Sequence, residues 1–326
     1  MTEIKAQSPI PEGTRGGPAG PLSIFKGTIM NPSSIIRKAA ASLGLDAQGF
    51  ASLSSLSGAA PFLKAAGAVP FAPPYEERLS AESLLPGARS AIVILFPYKP
   101  LEEETGNIAL YARAPDYHWV SRSYLRRLQE KIQPFFPDDQ FLPITDTSPL
   151  PDRWLAYAAG LGFFGRNHCL IHPKYGSYVT IGALLTTLSL PGGTPMESRC
   201  GACRRCLSAC PGRALTEGAI RPWQCKSCLT QKKEALTERE IAILRKTPLI
   251  FGCDECQRVC PWNEKAAPSP LPEIREGRIP FLSREELESL SVRGFDKAYR
   301  GYAFAWRGKK VLLRNLSLIE DVPEKD

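Results

Sequence analysis

Hydrophobic positions change period along this chain, and each period predicts an element. SAIVILFPY (90–98) is continuously apolar and ends at a proline, which predicts a buried strand. FLPIT (141–145) and SYVTIGALLTTL (177–188) read as further strands. Between His118 and Phe136 the pattern lengthens: Trp119, Tyr124, Leu125, Leu128 and Ile132 form one apolar face, with Arg122, Arg126, Arg127, Glu130 and Lys131 left to face water. SIIRKAAASLGL repeats helical spacing behind Asn31 and Pro32, an N-cap and a first helical residue. DRWLAYAAGLG reads as a helix stopped by glycine. Strands alternating with helices predict a layered α/β domain with its sheet covered by helices.

Composition narrows the class. A chain of 326 residues, 43% of them hydrophobic, can bury one large core or two smaller ones. No apolar segment approaches the roughly 20 residues that span a bilayer, and MTEIKAQSPIPEGTRGGPAG lacks the apolar run of a secretory signal. The reading is a soluble cytoplasmic protein with reduced cysteines. Residues 1–29, with four prolines and five glycines, are expected to form a disordered extension.

Cysteine spacing carries the chemistry. Cys200, Cys203, Cys206 and Cys210, followed by Pro211, form CxxCxxCxxxCP, and Cys253, Cys256 and Cys260, followed by Pro261, repeat its second half. Zinc ribbons use two separated CxxC pairs, and a disulfide framework belongs to small oxidised chains. The doubled CP-terminated run is instead the bacterial pattern for two [4Fe–4S] clusters, in which the last cysteine of each run ligates the other cluster. Cluster one then takes Cys200, Cys203, Cys206 and Cys260. Cluster two takes Cys210, Cys253, Cys256 and one thiol of WQCKSCLT, for which Cys225 and Cys228 both qualify. This module spans 199–265 and is followed by a C-terminal helical segment, 266–326, in which Ser283 to Glu286 reads as a capping box.

Two further features bear on partners. GLGFFGRN (160–167) has GxGxxG spacing but follows a helix and precedes a strand, the wrong context for a dinucleotide turn; close backbone approach to another large ligand, or a plain tight turn, fits better. The chain is formally +8, and residues 199–233 hold eight Lys or Arg against Glu217 alone. Arg199, Arg221, Lys226, Lys232 and Lys233 read as a basic patch for RNA phosphates, while Arg204 or Arg205 can offset the charge of a cluster.

LLPGARSAIVILFPY (84–98), IALYARAPDYHWV (108–120), the stretch from DTSPLPDRW to TIGALLT (146–186) and IFGCDECQRVCPWN (250–263) resemble the epoxyqueuosine reductases, from about Met30 to Ile319. The resemblance implies a cobalamin-binding catalytic domain over 30–198, similar to those of reductive dehalogenases, fused to the two-cluster ferredoxin-like module. It implies reduction of epoxyqueuosine to queuosine in a tRNA anticodon, with electrons from an external low-potential donor. It selects Cys225 as the fourth cluster-two ligand, Asp146 of DTSP as the catalytic acid, and Asn167, Leu170, Ile181 and Ser227 as cobalamin contacts. Without the resemblance Asp146 reads as a cap or turn residue; as an acid it needs burial to raise its pKa. The family's C-terminal helical-repeat domain is mostly missing from the pattern, since only one or two helices of a repeat fit before Asp326. That keeps a cobalamin-dependent reductase of a small molecule open as an expectation; the other alternative, an electron carrier or corrinoid-reducing partner, is disfavoured by the upstream domain and Asp146.

Overall fold

The computed structural model describes residues 31–67, 69 and 71–320; the extension expected over 1–29 lies outside them. Asn31 accepts a hydrogen bond from the Ser33 amide and starts α1 (Pro32–Ala41). Next come β1 (Gln48–Ser52), α2 (Ala60–Ala66), β2 (Ser90–Pro97), α3 (Tyr117–Ile132), β3 (Phe141–Ile144) and α4 (Asp152–Ala158). The hairpin of β4 (Phe163–Phe164) and β5 (Leu170–Ile171) leads into β6 (Val179–Thr186). The larger sheet has the order β1-β2-β6-β3 and is antiparallel throughout.

Both faces of β2 are covered, which explains its unbroken apolar run. Ile92, Ile94 and Phe96 point into a core with Ile36 of α1 and Leu125, Leu128 and Ile132 of α3. Ala91, Val93 and Leu95 point into a second core with Leu155 and Ala156 of α4. A strand alternates its side chains between faces, so burial on both leaves no polar position. β1 carries only five residues and was not apparent from periodicity. On α3 the buried face is Val120, Tyr124, Leu125, Leu128 and Ile132, at helical spacing. Trp119 instead remains 57% exposed, one position off that stripe.

The glycines of 160–167 serve the protein's own packing. Gly160 has φ +71 after α4, and a Cβ on Gly162 would stand 2.5 Å from the Ile171 carbonyl oxygen across the hairpin. Close approach is therefore between the two strands, and no outside ligand is needed to account for it.

The cysteine module is a set of short helices: α5 (Arg205–Ala209), α6 (Lys226–Leu229), α7 (Glu238–Leu244), α8 (Glu255–Arg258) and α9 (Pro261–Glu264), with a small hairpin at Leu215–Ile220. Four helices follow, α10 (Pro272–Arg275), α11 (Arg284–Ser289), α12 (Val292–Tyr299) and α13 (Lys309–Glu320). Ser283 caps α11 by accepting from the Glu286 amide. These helices bury Leu287, Phe295, Phe304, Leu312 and Leu316 against Ile108, Ile250 and Phe251. Asn315 of α13, fully buried, donates to the carbonyls of Thr230 and Ile250. The C-terminal helices thus clamp the thiol module to the loop before α3.

Candidate active site and thiol cages

The ten cysteines are all unpaired thiols, and eight of them fall into two groups of four. Cys206 and Cys260 each lie within electrostatic reach of Cys200 and Cys203. These four thiols line a cavity of about 170 Å³ with Arg166, Arg199 and Arg205. The second group contains Cys225, within reach of Cys210, and Cys253 and Cys256, within reach of Cys225. The last thiol of the second run, Cys260, thus lies beside the first run, and Cys210 lies beside Cys225.

Each cage brings together the four thiols that the doubled CP-terminated spacing assigns to one cluster. Among the described residues no group of three or more His, Cys, Asp or Glu side chains is arranged for one metal ion. Backbone amides instead point at the sulfurs: Arg166 N to Cys200 Sγ at 3.4 Å and Ala214 N to Cys210 Sγ at 3.2 Å, with Ser227 and Cys228 N–H groups on Cys225. Such N–H groups favour thiolate sulfur, the form that ligates iron. Cys228 lies within electrostatic reach of Cys225, and also of Lys232, Glu240 and Arg307. Arg204 and Arg205 pair with Glu217 and Glu264. The arginine tied into cage one is Arg166, whose Nη1 donates to the Gly201 and Cys203 carbonyls; sequence spacing gave no hint of it.

Next to the second cage lies an open cavity of about 230 Å³. Leu170, Val179 and Ile181, from β5 and β6, give it an apolar wall, and Tyr98, Tyr111, Tyr117 and Asp146 give it polar groups. Cys169 lines it and hydrogen-bonds with Cys256 of cage two. Gln257 of α8 also lines it, donating to Tyr98 Oη at 2.9 Å and to the Ser177 carbonyl at 2.7 Å. Cage and cavity therefore share a wall. Asn167 stands at the cage-one cavity, with its carboxamide donating to the Cys256 carbonyl at 3.5 Å. Ser227 sits behind Tyr111, to which it is hydrogen-bonded.

Asp146 caps no helix. Tyr117 donates to its Oδ2, and His118 Nε2 lies 2.6 Å from its Oδ1. His118 Nδ1 in turn lies 2.6 Å from Asp116 Oδ1, so one imidazole bridges two carboxylates. The burial expected for Asp146 is not found, since its side chain is 38% exposed; the loop 145–151 carries it at the cavity rim. Burial would push His118 down, but the hydrogen bonds and charges of Asp116 and Asp146 outweigh it and lift the imidazole to about 9. Asp116 is also the N-cap of α3, accepting from the His118 amide. Three histidines in the whole chain, one at a helix start beside an aspartate, was the available signal for this relay.

One residue of the expected basic patch is misplaced. Lys226 is 1% exposed, and its ammonium donates to Leu244 O at 2.5 Å and to Thr247 O and Oγ1 at 2.7 Å. It satisfies carbonyls at the end of α7, which fixes it inside the module. Arg199, Arg221 and Lys233 are exposed, and Lys232 is paired with Glu240 at 2.8 Å.

Two thiol cages sharing a wall with a carboxylate-rimmed cavity define a redox protein of the double-cluster class, and residues 199–263 match the family described as 4Fe-4S double cluster binding domain. Residues 78–147 match Epoxyqueuosine reductase QueG, DUF1730. A curated epoxyqueuosine reductase of Bacillus cereus is 36% identical over 259 residues, covering 76% of this chain and 67% of that one. The solved epoxyqueuosine reductase of Streptococcus thermophilus superposes at TM-score 0.78 and 29% identity, over 89% of this chain and 81% of that one. An epoxyqueuosine reductase crystallised with an epoxyqueuosine-modified tRNA-Tyr stem loop gives the same figures. The chain belongs to the epoxyqueuosine reductase family.

Proposed function

We propose that this protein reduces epoxyqueuosine to queuosine in a tRNA anticodon, using two [4Fe–4S] clusters and a cobalamin. The observation that carries the reading is the cavity rimmed by Asp146, which shares Cys169 and Gln257 with the wall of the second cage. Cluster one would be held by Cys200, Cys203, Cys206 and Cys260, and cluster two by Cys210, Cys225, Cys253 and Cys256. Leu170 and Ile181 would touch the cobalamin directly, with Asn167 and Ser227 supporting the walls around it.

When bound, reduced cobalamin supplies a strong nucleophile or electron donor, and the clusters supply single electrons to it. Removing the epoxide oxygen as water consumes two electrons and two protons. The residues of this chain answer for the protons. Asp146 presents a carboxyl group to the cavity, where the opening epoxide needs a proton. His118, charged below about pH 9, stands behind it as the reservoir. Asp116 fixes the imidazole from the far side, so that its Nε2 proton points at Asp146. Tyr117 holds the other carboxylate oxygen. Gln257, tied to the Ser177 carbonyl, holds Tyr98 in the wall.

Electrons from an external donor would enter at cage one, which opens beside Arg166, Arg199 and Arg205, and leave from cage two. Exposed Arg199, Arg221 and Lys233 would meet phosphates of the tRNA. The test is anaerobic reconstitution with iron, sulfide and cobalamin, then turnover of epoxyqueuosine-containing tRNA with titanium citrate, read by nucleoside analysis. Queuosine formation supports the reading. A loaded protein that leaves epoxyqueuosine unchanged moves it to another substrate, and failure to retain corrinoid leaves an electron carrier.

A further inference from the structure

The described surface carries an aromatic corner at Phe71 and Trp306 that the reaction site does not use. Phe71, from the loop after α2, and Trp306, from the turn before α13, meet edge-on with ring centroids 5.5 Å apart. The Arg307 guanidinium sits in the angle between them, 3.6 Å from the Trp306 centroid and 4.3 Å from that of Phe71. Large rings normally gain by burial, yet these two stay 58% and 51% exposed. Phe71 also adopts φ +64, a conformation that a bulky residue takes only when its surroundings enforce it.

Arg307 supplies the second observation. Its side chain forms no hydrogen bond or ion pair among the described residues, and its Nε is buried without a partner. A guanidinium held only by ring faces keeps its donors for something else. Trp306 is also fixed relative to the cavity. Its Nε1 donates to Gln231 Oε1 at 2.9 Å, Gln231 Nε2 donates to the Ser227 carbonyl at 2.8 Å, and Ser227 is hydrogen-bonded to the cavity tyrosine Tyr111. Lys233, two residues beyond Gln231, is exposed and forms no ion pair among the described residues.

We propose that Phe71, Trp306 and Arg307 form a stacking platform for an unpaired nucleobase of the RNA, outside the reaction cavity. This rests on the RNA substrate proposed above. Single-stranded loops are bound by stacking of bases on aromatic rings and Arg planes, and the parts of the Trp306 and Phe71 rings that Arg307 does not cover stay exposed to a base. Arg307 then donates to a base edge or phosphate as the base arrives.

The probe is an unmodified tRNA-Tyr anticodon stem loop bound to the reconstituted holoenzyme, with fluorescence anisotropy read at several salt concentrations. Trp306→Ala is expected to weaken binding about tenfold or more, the usual worth of one stacked base. The salt slope should stay as in the wild type, because no phosphate contact is removed. Trp306→Phe should recover most of the affinity, and Phe71→Ala should weaken binding to a smaller degree. Affinity within twofold of wild type in Trp306→Ala overturns the platform. So does a loss that Trp306→Phe fails to restore and that accompanies a lower melting temperature, since the corner is then only a clasp between two loops. In either case wild-type turnover of epoxyqueuosine tRNA would leave the proposed reaction standing. A wild-type holoenzyme that neither binds this stem loop nor reduces epoxyqueuosine-containing tRNA removes both.

Discussion

The two thiol cages are built from the same short motif and end in different surroundings. Cage one opens on a cavity lined by Arg166, Arg199 and Arg205. Cage two lies inward, where burial raises the Cys225 thiol and pushes that of Cys253 up to about 12. Its Cys256 touches Cys169 of the reaction cavity. A repeated motif therefore fixes which group can bind, while the neighbouring elements decide what each copy is connected to. In the proposed reaction, one cage faces the electron donor and the other faces the chemistry.

The largest effect should come from breaking cage two. Cys225→Ala is expected to lower bound iron from about eight per chain towards four and to abolish turnover, because each cube needs its four thiolates. Cys228→Ala should keep about eight, since Cys210, Cys253 and Cys256 lie within reach of Cys225. Iron analysis and EPR of the two variants separate them, and cluster loss in Cys228→Ala alone would reverse the assignment. Next in size is Asp146→Asn, which keeps volume and most hydrogen bonds but cannot give up a carboxyl proton. Turnover should fall by about 10² to 10⁴ with both cages still loaded, and wild-type turnover would take Asp146 out of the reaction.

A smaller effect is set by pH. His118 titrates at about 9 in the folded protein, above its ordinary value of about 6.5. What its charge adds to holding Asp146 is complete below about pH 6.5 and is lost as pH rises through about 9. Turnover should decline over that upper range in the wild type and lose this limb in His118→Gln. An unchanged alkaline limb in the variant would assign it to another group. The smallest effects separate two lysines. Lys233→Ala should lower the dependence of tRNA affinity on salt by about one ion. Lys226→Met should leave that slope unchanged while destabilising the fold by about 1–3 kcal/mol, because carbonyls at the end of α7 lose their donor. A lowered salt slope in Lys226→Met would return this residue to the RNA surface.

Elements with long, single-period patterns were legible in the sequence. The run at 90–98, the helix after His118 and the Asn31 cap all depend on neighbours within a few residues, and the structure has them at those positions. The misread positions depended on contacts far along the chain. Lys226 looks like any basic surface residue until Leu244, at the end of α7, and Thr247 beyond it supply three oxygens around its ammonium. Trp119 looks like a core residue until the stripe of α3 settles one position away. Asp146 was picked out by resemblance, and its role as the acid is a proposal; its partners Tyr117 and His118 lie 29 and 28 residues earlier, and no local rule joins them.

By itself the sequence determined the iron–sulfur chemistry, because ligand spacing along a flexible chain limits which thiols can wrap one cube. It also determined the strands and helices whose hydrophobic period is unambiguous. Only the tertiary structure decided that both faces of an antiparallel sheet are covered, that cage two shares a wall with the cavity, and that His118 stands between two carboxylates. The physical reason is range. Periodicity and spacing act over a few residues, whereas burial, charge pairing and cavity shape are set by segments that meet only after the chain has folded.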